Sequence, residues 1–132
     1  MSGGPYPFQM NQTVFEITKA ATFDAAHFLP VGPEDHKYRR MHGHSFRVEA
    51  TVRGPLDEAT GWVLDLGALE EALGEAARAL DHTLLNEQPG LERPTLERLC
   101  LYFVEKLGPA APGLSRIVVA RPSVGEACTL TL

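Results

Sequence analysis

Five histidines occur in the chain, and four of them, His27, His36, His42 and His44, lie within one short stretch. In extended backbone, residues two apart project to the same side, so His42 and His44 can reach one ion together. Gly43 between them lets the backbone approach that ion without a side chain in the way. Both share parity with Phe46, Val48 and Ala50, which places them on the inward face of a strand. His27 ends the preceding extended segment in an Ala25-Ala26-His27 context, where the neighbouring arm of a hairpin supplies a third imidazole. Three neutral imidazoles around Zn2+ leave one coordination position open. Water or a substrate oxygen enters there and is polarised by the ion as a Lewis acid. His36, among Glu34, Asp35 and Lys37, reads instead as a solvated loop residue.

A second constellation is Asp81-His82. A carboxylate beside an imidazole orients the ring and raises its basicity, which makes a general acid/base. The same dipeptide also suits the end of a helix for capping and dipole reasons, and both readings stand. Thr95 suits an N-cap, and Glu97 in the following first turn is favoured by the helix dipole.

These residues need elements to hold them. A chain of 132 residues, 44% hydrophobic and 22% charged, fits one globular domain over 1–132. The formal net charge of -5 argues against a nucleic-acid surface. Cys100 and Cys128 are too few for a disulfide scaffold and read as reduced thiols of a cytoplasmic chain. No apolar run is long enough to span a membrane. Residues 1–12, rich in Gly, Pro, Asn and Gln, read as a flexible leader.

Val14 to Phe28 suits a strand, Pro30 to Arg40 a loop, and Ser45 to Gly54 a strand with clean alternation. Leu66, Leu69, Leu73, Ala76, Ala77 and Leu80 recur at helical spacing behind the cap Asp65. A second helix follows Thr95 with Leu96, Leu99, Cys100, Phe103 and Leu107 on its stripe, and Gly108 stops it. Arg116 to Arg121 and Cys128 to Leu132 read as two more strands. The order β-β-α-α-β-β predicts an α+β fold, an antiparallel sheet with helices on one face. Its free edges call for partners of its own kind.

The motifs Phe23-Asp24-Ala25-Ala26-His27, His36-Lys37-Tyr38-Arg39-Arg40-Met41-His42-Gly43-His44-Ser45-Phe46, Gly61-Trp62-Val63-Leu64-Asp65-Leu66, Leu80-Asp81-His82 with Leu85-Asn86, and Pro94-Thr95-Leu96-Glu97 occur in this order. Together they resemble the 6-pyruvoyl-tetrahydropterin synthase family, with its bacterial 6-carboxy-tetrahydropterin synthase branch of queuosine biosynthesis looking most similar. The resemblance implies a tunnelling (T-) fold: a four-stranded antiparallel sheet of two hairpins with two helices on one face, assembling into trimers or hexamers. It implies zinc on His27, His42 and His44, and 7,8-dihydroneopterin triphosphate as substrate with elimination of triphosphate. Asp81 and His82 would relay protons, Thr95 and Glu97 would contact substrate, and Lys37, Arg39 and Arg40 are either triphosphate contacts or solvated charge.

Two positions depart from the family pattern. Its catalytic cysteine, four residues before the HGH motif, is Tyr38 here, and a phenol ionises near ~10 against ~8.5 for a thiol. The glutamate that anchors the pterin ring corresponds to Arg121, which has only donors to offer. Glu126 would substitute for it if the intervening turn folds back. Three readings therefore remain open. One is the lyase. Another is an aldolase-type cleavage to 6-hydroxymethyl-dihydropterin with Glu34 or Asp35 as the base. The third is a non-catalytic metal-binding homologue in which Arg121 favours an acidic ligand.

Overall fold

The computed structural model describes residues 13–132, so the leader read at 1–12 lies outside the described residues. Two long strands, β1 (Val14–His27) and β2 (His42–Pro55), pair antiparallel along their whole length, from Val14 opposite Pro55 to His27 opposite His42. Helices α1 (Leu66–Arg78) and α2 (Leu96–Leu107) follow, then β3 (Leu114–Arg121) and β4 (Glu126–Thr131). The sheet order is β1-β2-β3-β4, all antiparallel. This is the α+β arrangement that the sequence predicts.

Alternation builds the core. Phe23, Ala25 and His27 of β1 are buried on the same face as Phe46, Val48, Ala50 and Val52 of β2 and Ile117 and Val119 of β3. Against this face α1 sets Leu69, Leu73, Ala76 and Ala77, and α2 sets Leu96, Leu99, Cys100, Phe103 and Leu107. Phe23 stacks on Phe46 at 5.0 Å and tilts against Phe103 at 5.9 Å, tying the hairpin to α2. Both helix starts are capped as read: Asp65 Oδ1 accepts from Gly67 N at 2.9 Å, and Thr95 Oγ1 from Arg98 N at 3.2 Å.

Several boundaries differ from the sequence reading, among them the end of β1 at His27 rather than Phe28 and the start of β3 at Leu114 rather than Arg116. β2 begins at His42 rather than Ser45, because the strand pairing continues through the HGH motif to the end of β1. β4 begins at Glu126 rather than Cys128, because Arg121 and Glu126 face each other across a tight turn. Leu80 is buried, yet it packs beyond the end of α1. Gly108 keeps right-handed angles (φ -44, ψ -54), so it is not a left-handed glycine cap, and Pro109 begins a tighter turn there. One glycine is required by contact. At Gly113 (φ +86) a Cβ would lie 2.6 Å from the Arg53 carbonyl oxygen, where β3 enters beside β2.

Replacing Phe103, the fully buried α2 residue packed on Phe23 of the sheet, by alanine is expected to destabilise the fold by about 3–5 kcal/mol. Removing the α2 cap by Thr95→Ala should cost about 1 kcal/mol. Urea denaturation measures both, and equal effects would contradict this placing of the core.

Candidate metal centre

The register of the β1–β2 hairpin decides where the histidines meet. His27 pairs with His42, and Ala25 with His44, so all three imidazoles leave the same face at one end of the sheet. The ring centroids stand 4.6 Å (His27–His42), 5.2 Å (His27–His44) and 4.7 Å (His42–His44) apart. One nitrogen from each lies within 4.8 Å of the other two. Phe46 closes the floor, edge-on to the rings of His27 and His44 at 5.8 and 5.9 Å. The loop between the strands is pinned by Leu29 N donating to the Tyr38 carbonyl at 2.7 Å. Asn86 adds to this by accepting from Phe28 N at 3.0 Å and donating to Phe28 O at 2.8 Å.

Backbone carbonyls set the tautomers. His27 Nδ1 faces Pro94 O at 3.2 Å, and His42 Nδ1 faces Arg40 O at 2.6 Å. A carbonyl has no proton to give, so each Nδ1 carries the hydrogen and each Nε2 carries a lone pair. Those two Nε2 atoms are 3.1 Å apart, an approach that two neutral rings of this tautomer cannot turn into a hydrogen bond. His44 Nε2 is buried with no partner. Burial lowers His27 from 6.5 to about 4; the Pro94 carbonyl opposes this, while His42, Arg121 and His44 add to it. Burial, then His42 and Arg121, lowers His44 as well, with Glu126 opposing. Neutral imidazoles with converging, desolvated lone pairs are the form a metal needs. The donor set fits a divalent transition-metal ion with an open coordination position.

Beside the rings lies a cavity of about 430 Å³ bordered by Lys37, Tyr38, Arg40, His42, His44 and Glu126. Glu126 does fold back: the turn at Pro122–Val124 and left-handed Gly125 (φ 69) return it opposite Arg121. Its Oε1 is 3.0 Å from Arg121 Nε, and Tyr38 Oη reaches its Oε2 at 3.5 Å. Arg121 Nη1 donates to His27 Nε2 at 3.3 Å. Glu34, Asp35 and His36 are exposed, and no hydrogen bond or ion pair joins them to the three rings. Thr95 spends its hydroxyl on the α2 cap, and Glu97 is exposed on the first turn. Neither cysteine position borders this cavity, and burial pushes the Cys100 thiol up to about 12. The residues that sequence reasoning missed are Pro94 and Arg40. They act through backbone oxygens, which no residue type announces.

Asp81 and His82 lie along the edge of β1, where Ala26 N donates to Thr83 O at 3.0 Å and Ala26 bridges Leu84. Asp81 Oδ1 accepts from Asp24 N at 2.8 Å, its Oδ2 lies 2.9 Å from His82 Nδ1, and Ser45 Oγ donates to Asp24 Oδ1 at 2.5 Å. Asp24 and Ser45 are register partners one step out of phase with the histidines. His82 has φ 59, the one positive φ outside glycine among the described residues, and its N–H donates to Asp24 O at 2.6 Å. The His82 side chain is 81% exposed and borders a second cavity of about 740 Å³, together with Asp24, Gly43, His44 and Ser45. Hydrogen bonds from Asp24 N and His82 lower the Asp81 carboxyl, keeping it anionic beside the ring. No hydrogen bond or ion pair links this pair to the three clustered imidazoles.

The metal-free protein should lose stability in mild acid. His27 titrates near 6.5 when unfolded and about 4 when folded, so between these values the unfolded chain takes up the proton first. Its contribution is complete above 6.5 and is lost as the pH falls toward 4. Asp81, lowered from 3.8, acts only below this window. Urea midpoints of chelator-stripped protein should fall across it, and less so in His27→Gln. Identical midpoints at both ends would contradict the burial described here.

Known proteins share this architecture. Residues 16–131 match the family model described as 6-pyruvoyl tetrahydropterin synthase. The chain is 38% identical over 119 residues to the 6-carboxy-5,6,7,8-tetrahydropterin synthase of Synechocystis sp., covering 86% of this chain and 87% of that protein. It is 32% identical over 110 residues to the 6-pyruvoyl tetrahydrobiopterin synthase of Poecilia reticulata, covering 73% and 75%. The fold superposes on the Caenorhabditis elegans 6-pyruvoyl tetrahydropterin synthase with a TM-score of 0.81 at 21% identity, over 92% of this chain and 98% of that one. With its sheet, its two helices and nearly its whole length accounted for in this way, the chain belongs to the 6-pyruvoyl tetrahydropterin synthase family.

Proposed function

We propose that the chain is a zinc-dependent lyase that eliminates triphosphate from 7,8-dihydroneopterin triphosphate and yields 6-carboxy-tetrahydropterin with loss of acetaldehyde. The observation that carries this reading is the convergence of His27, His42 and His44, with one Nε2 buried and unpartnered. Zinc bound there would supply Lewis acidity toward the side-chain oxygens of the substrate. The similarity to a 6-carboxy-tetrahydropterin synthase over most of the chain favours this branch.

The chain's own residues supply the rest. Lys37 and Arg40 border the cavity and offer positive charge to the triphosphate. Glu126 presents a carboxylate that can accept from the N–H groups of a pterin ring, in place of the residue that Arg121 replaces. Tyr38 stands at the mouth of the same cavity with its hydroxyl on Glu126, a position from which it can pass a proton. Asp81 holds His82 by Nδ1, leaving Nε2 to take and return protons. A non-glycine residue at φ 59 persists only when its surroundings hold it, and such residues cluster at functional sites.

Because His82 stands 81% exposed at the edge of β1, with no hydrogen bond to the three imidazoles, we propose that Asp81 and His82 serve the metal of a second copy in a cytoplasmic homo-oligomer. The sheet ends in β1 and β4, and β4 offers an edge for that assembly, whereas residues 82–84 already pair with β1 at Asp24 and Ala26. No helix among the described residues is long and apolar enough to cross a membrane.

Two measurements test the reading. Zinc-loaded protein should release triphosphate from the substrate and give a product of the 6-carboxy mass, and chelation should abolish turnover. An unchanged substrate would end the proposal, and a 6-hydroxymethyl product would transfer it to the aldolase class. Separately, His82→Ala and His42→Ala should each lower turnover by about 10²-fold or more. Co-expressed in one oligomer, they should restore part of it, since intact metal and proton-relay halves then meet. A relay acting within its own chain predicts no restoration.

A further inference from the structure

The Arg121 side chain is 12% exposed, so its guanidinium is largely withdrawn from water at the edge of the metal centre. Its Nη1 donates to His27 Nε2 at 3.3 Å, the lone pair that Pro94 leaves free for a metal. Its Nε is buried, and although Glu126 Oε1 lies 3.0 Å away, no acceptor is aligned with that N–H. A buried guanidinium N–H without an aligned acceptor is costly, and planar two-oxygen groups are what the guanidinium fork matches.

The charge balance points the same way. With neutral imidazoles, a divalent ion, Arg121 and Glu126 sum to two positive charges, before Lys37 and Arg40 on the cavity wall are counted. The chain as a whole carries -5, so this concentration of cations is local. A thiolate at the position of Tyr38 and a carboxylate at that of Arg121 would have balanced the ion, and this chain has neither. Once a metal takes the lone pair of His27, Arg121 loses its acceptor there and stands next to a second cation. An anion that places one oxygen at the open coordination position and the other on Arg121 relieves both.

We propose that Arg121 makes the open position of this metal centre a carboxylate-binding site, with Glu126 fixing the guanidinium in the direction of the metal. The ligand class is a small or ring-bound carboxylate. This inference rests on the metal reading of the three histidines, and it holds whether the ring beyond the carboxylate is turned over or only bound.

Co2+ in place of zinc gives a visible spectrum that reports its ligands. Protein loaded with one Co2+ would be titrated with pterin-6-carboxylate and with the neutral pterin-6-carboxamide. The carboxylate should shift the absorption bands and bind more tightly than the amide by about 10- to 100-fold, the worth of one charge-assisted hydrogen bond. Arg121→Met should remove that preference and, without any anion, bind Co2+ more tightly than the parent. Arg121→Lys keeps the charge but not the fork, so it should leave Co2+ affinity near the parent value while losing most of the preference. A parent with no preference, or an Arg121→Met variant that retains it, overturns the carboxylate site while the metal centre stands. Failure to bind Co2+ at all overturns both.

Discussion

Two imidazole nitrogens facing each other at 3.1 Å, each with its proton committed elsewhere, form the constraint around which the site is organised. Neutral rings held this way repel through their lone pairs, and beside them His44 Nε2 is a buried acceptor without a partner, which costs about 1–3 kcal/mol. Nothing in a single ring imposes the arrangement. It requires the full-length pairing of β1 with β2, the carbonyl before α2, and the loop carbonyl of Arg40, three separate parts of the chain aimed at one point. The aromatic floor of Phe46 and Phe23 keeps the rings from turning away. A cation is the group that converts this repulsion into binding energy, which is why the histidine cluster carries more functional meaning than its ring spacing alone.

Much of this was legible in the residues. The parity of His42 and His44 with Phe46 and Val48 foretold the shared inward face, and the pairing of His27 with His42 realises it. Asp65 and Thr95 announced both helix starts, because a cap is a local device with a local signature. The start of β2 was less legible. His42 to Ser45 carry little β propensity, and the strand extends there because its partner does, which is a tertiary effect. The facing of Asp81 and His82 was not legible at all. It depends on a left-handed backbone angle at His82, fixed by hydrogen bonds to Asp24, a residue distant in the chain.

Tyr38 and Arg121 take their meaning from their position in space. From sequence these are two isolated departures from the family pattern, and each alone reads as a loss. In space Tyr38 borders the cavity, Arg121 lies beside His27, and both reach Glu126. The return of Glu126 across the Pro122–Val124 turn then places a carboxylate against both newcomers, touching Tyr38 with one oxygen and Arg121 with the other. The three residues therefore work as a set. Arg121 without Glu126 would be free to swing, and Glu126 without Arg121 would stand alone beside the rings and compensate the metal directly.

The same hairpin keeps two sets of side chains apart. Along β1, Ala25 and His27 face inward while Asp24 faces out, and on β2 the partners His44 and His42 face inward while Ser45 faces out. The period of two therefore sends the three imidazoles to one side and the side chains of Asp24 and Ser45 to the other. A one-residue slip in this hairpin would exchange the two faces, burying Asp24 and Ser45 and exposing the imidazoles. Hydrophobic parity at Phe23, Phe46 and Val48 forbids that slip, so the core itself keeps the three imidazoles on the inward face.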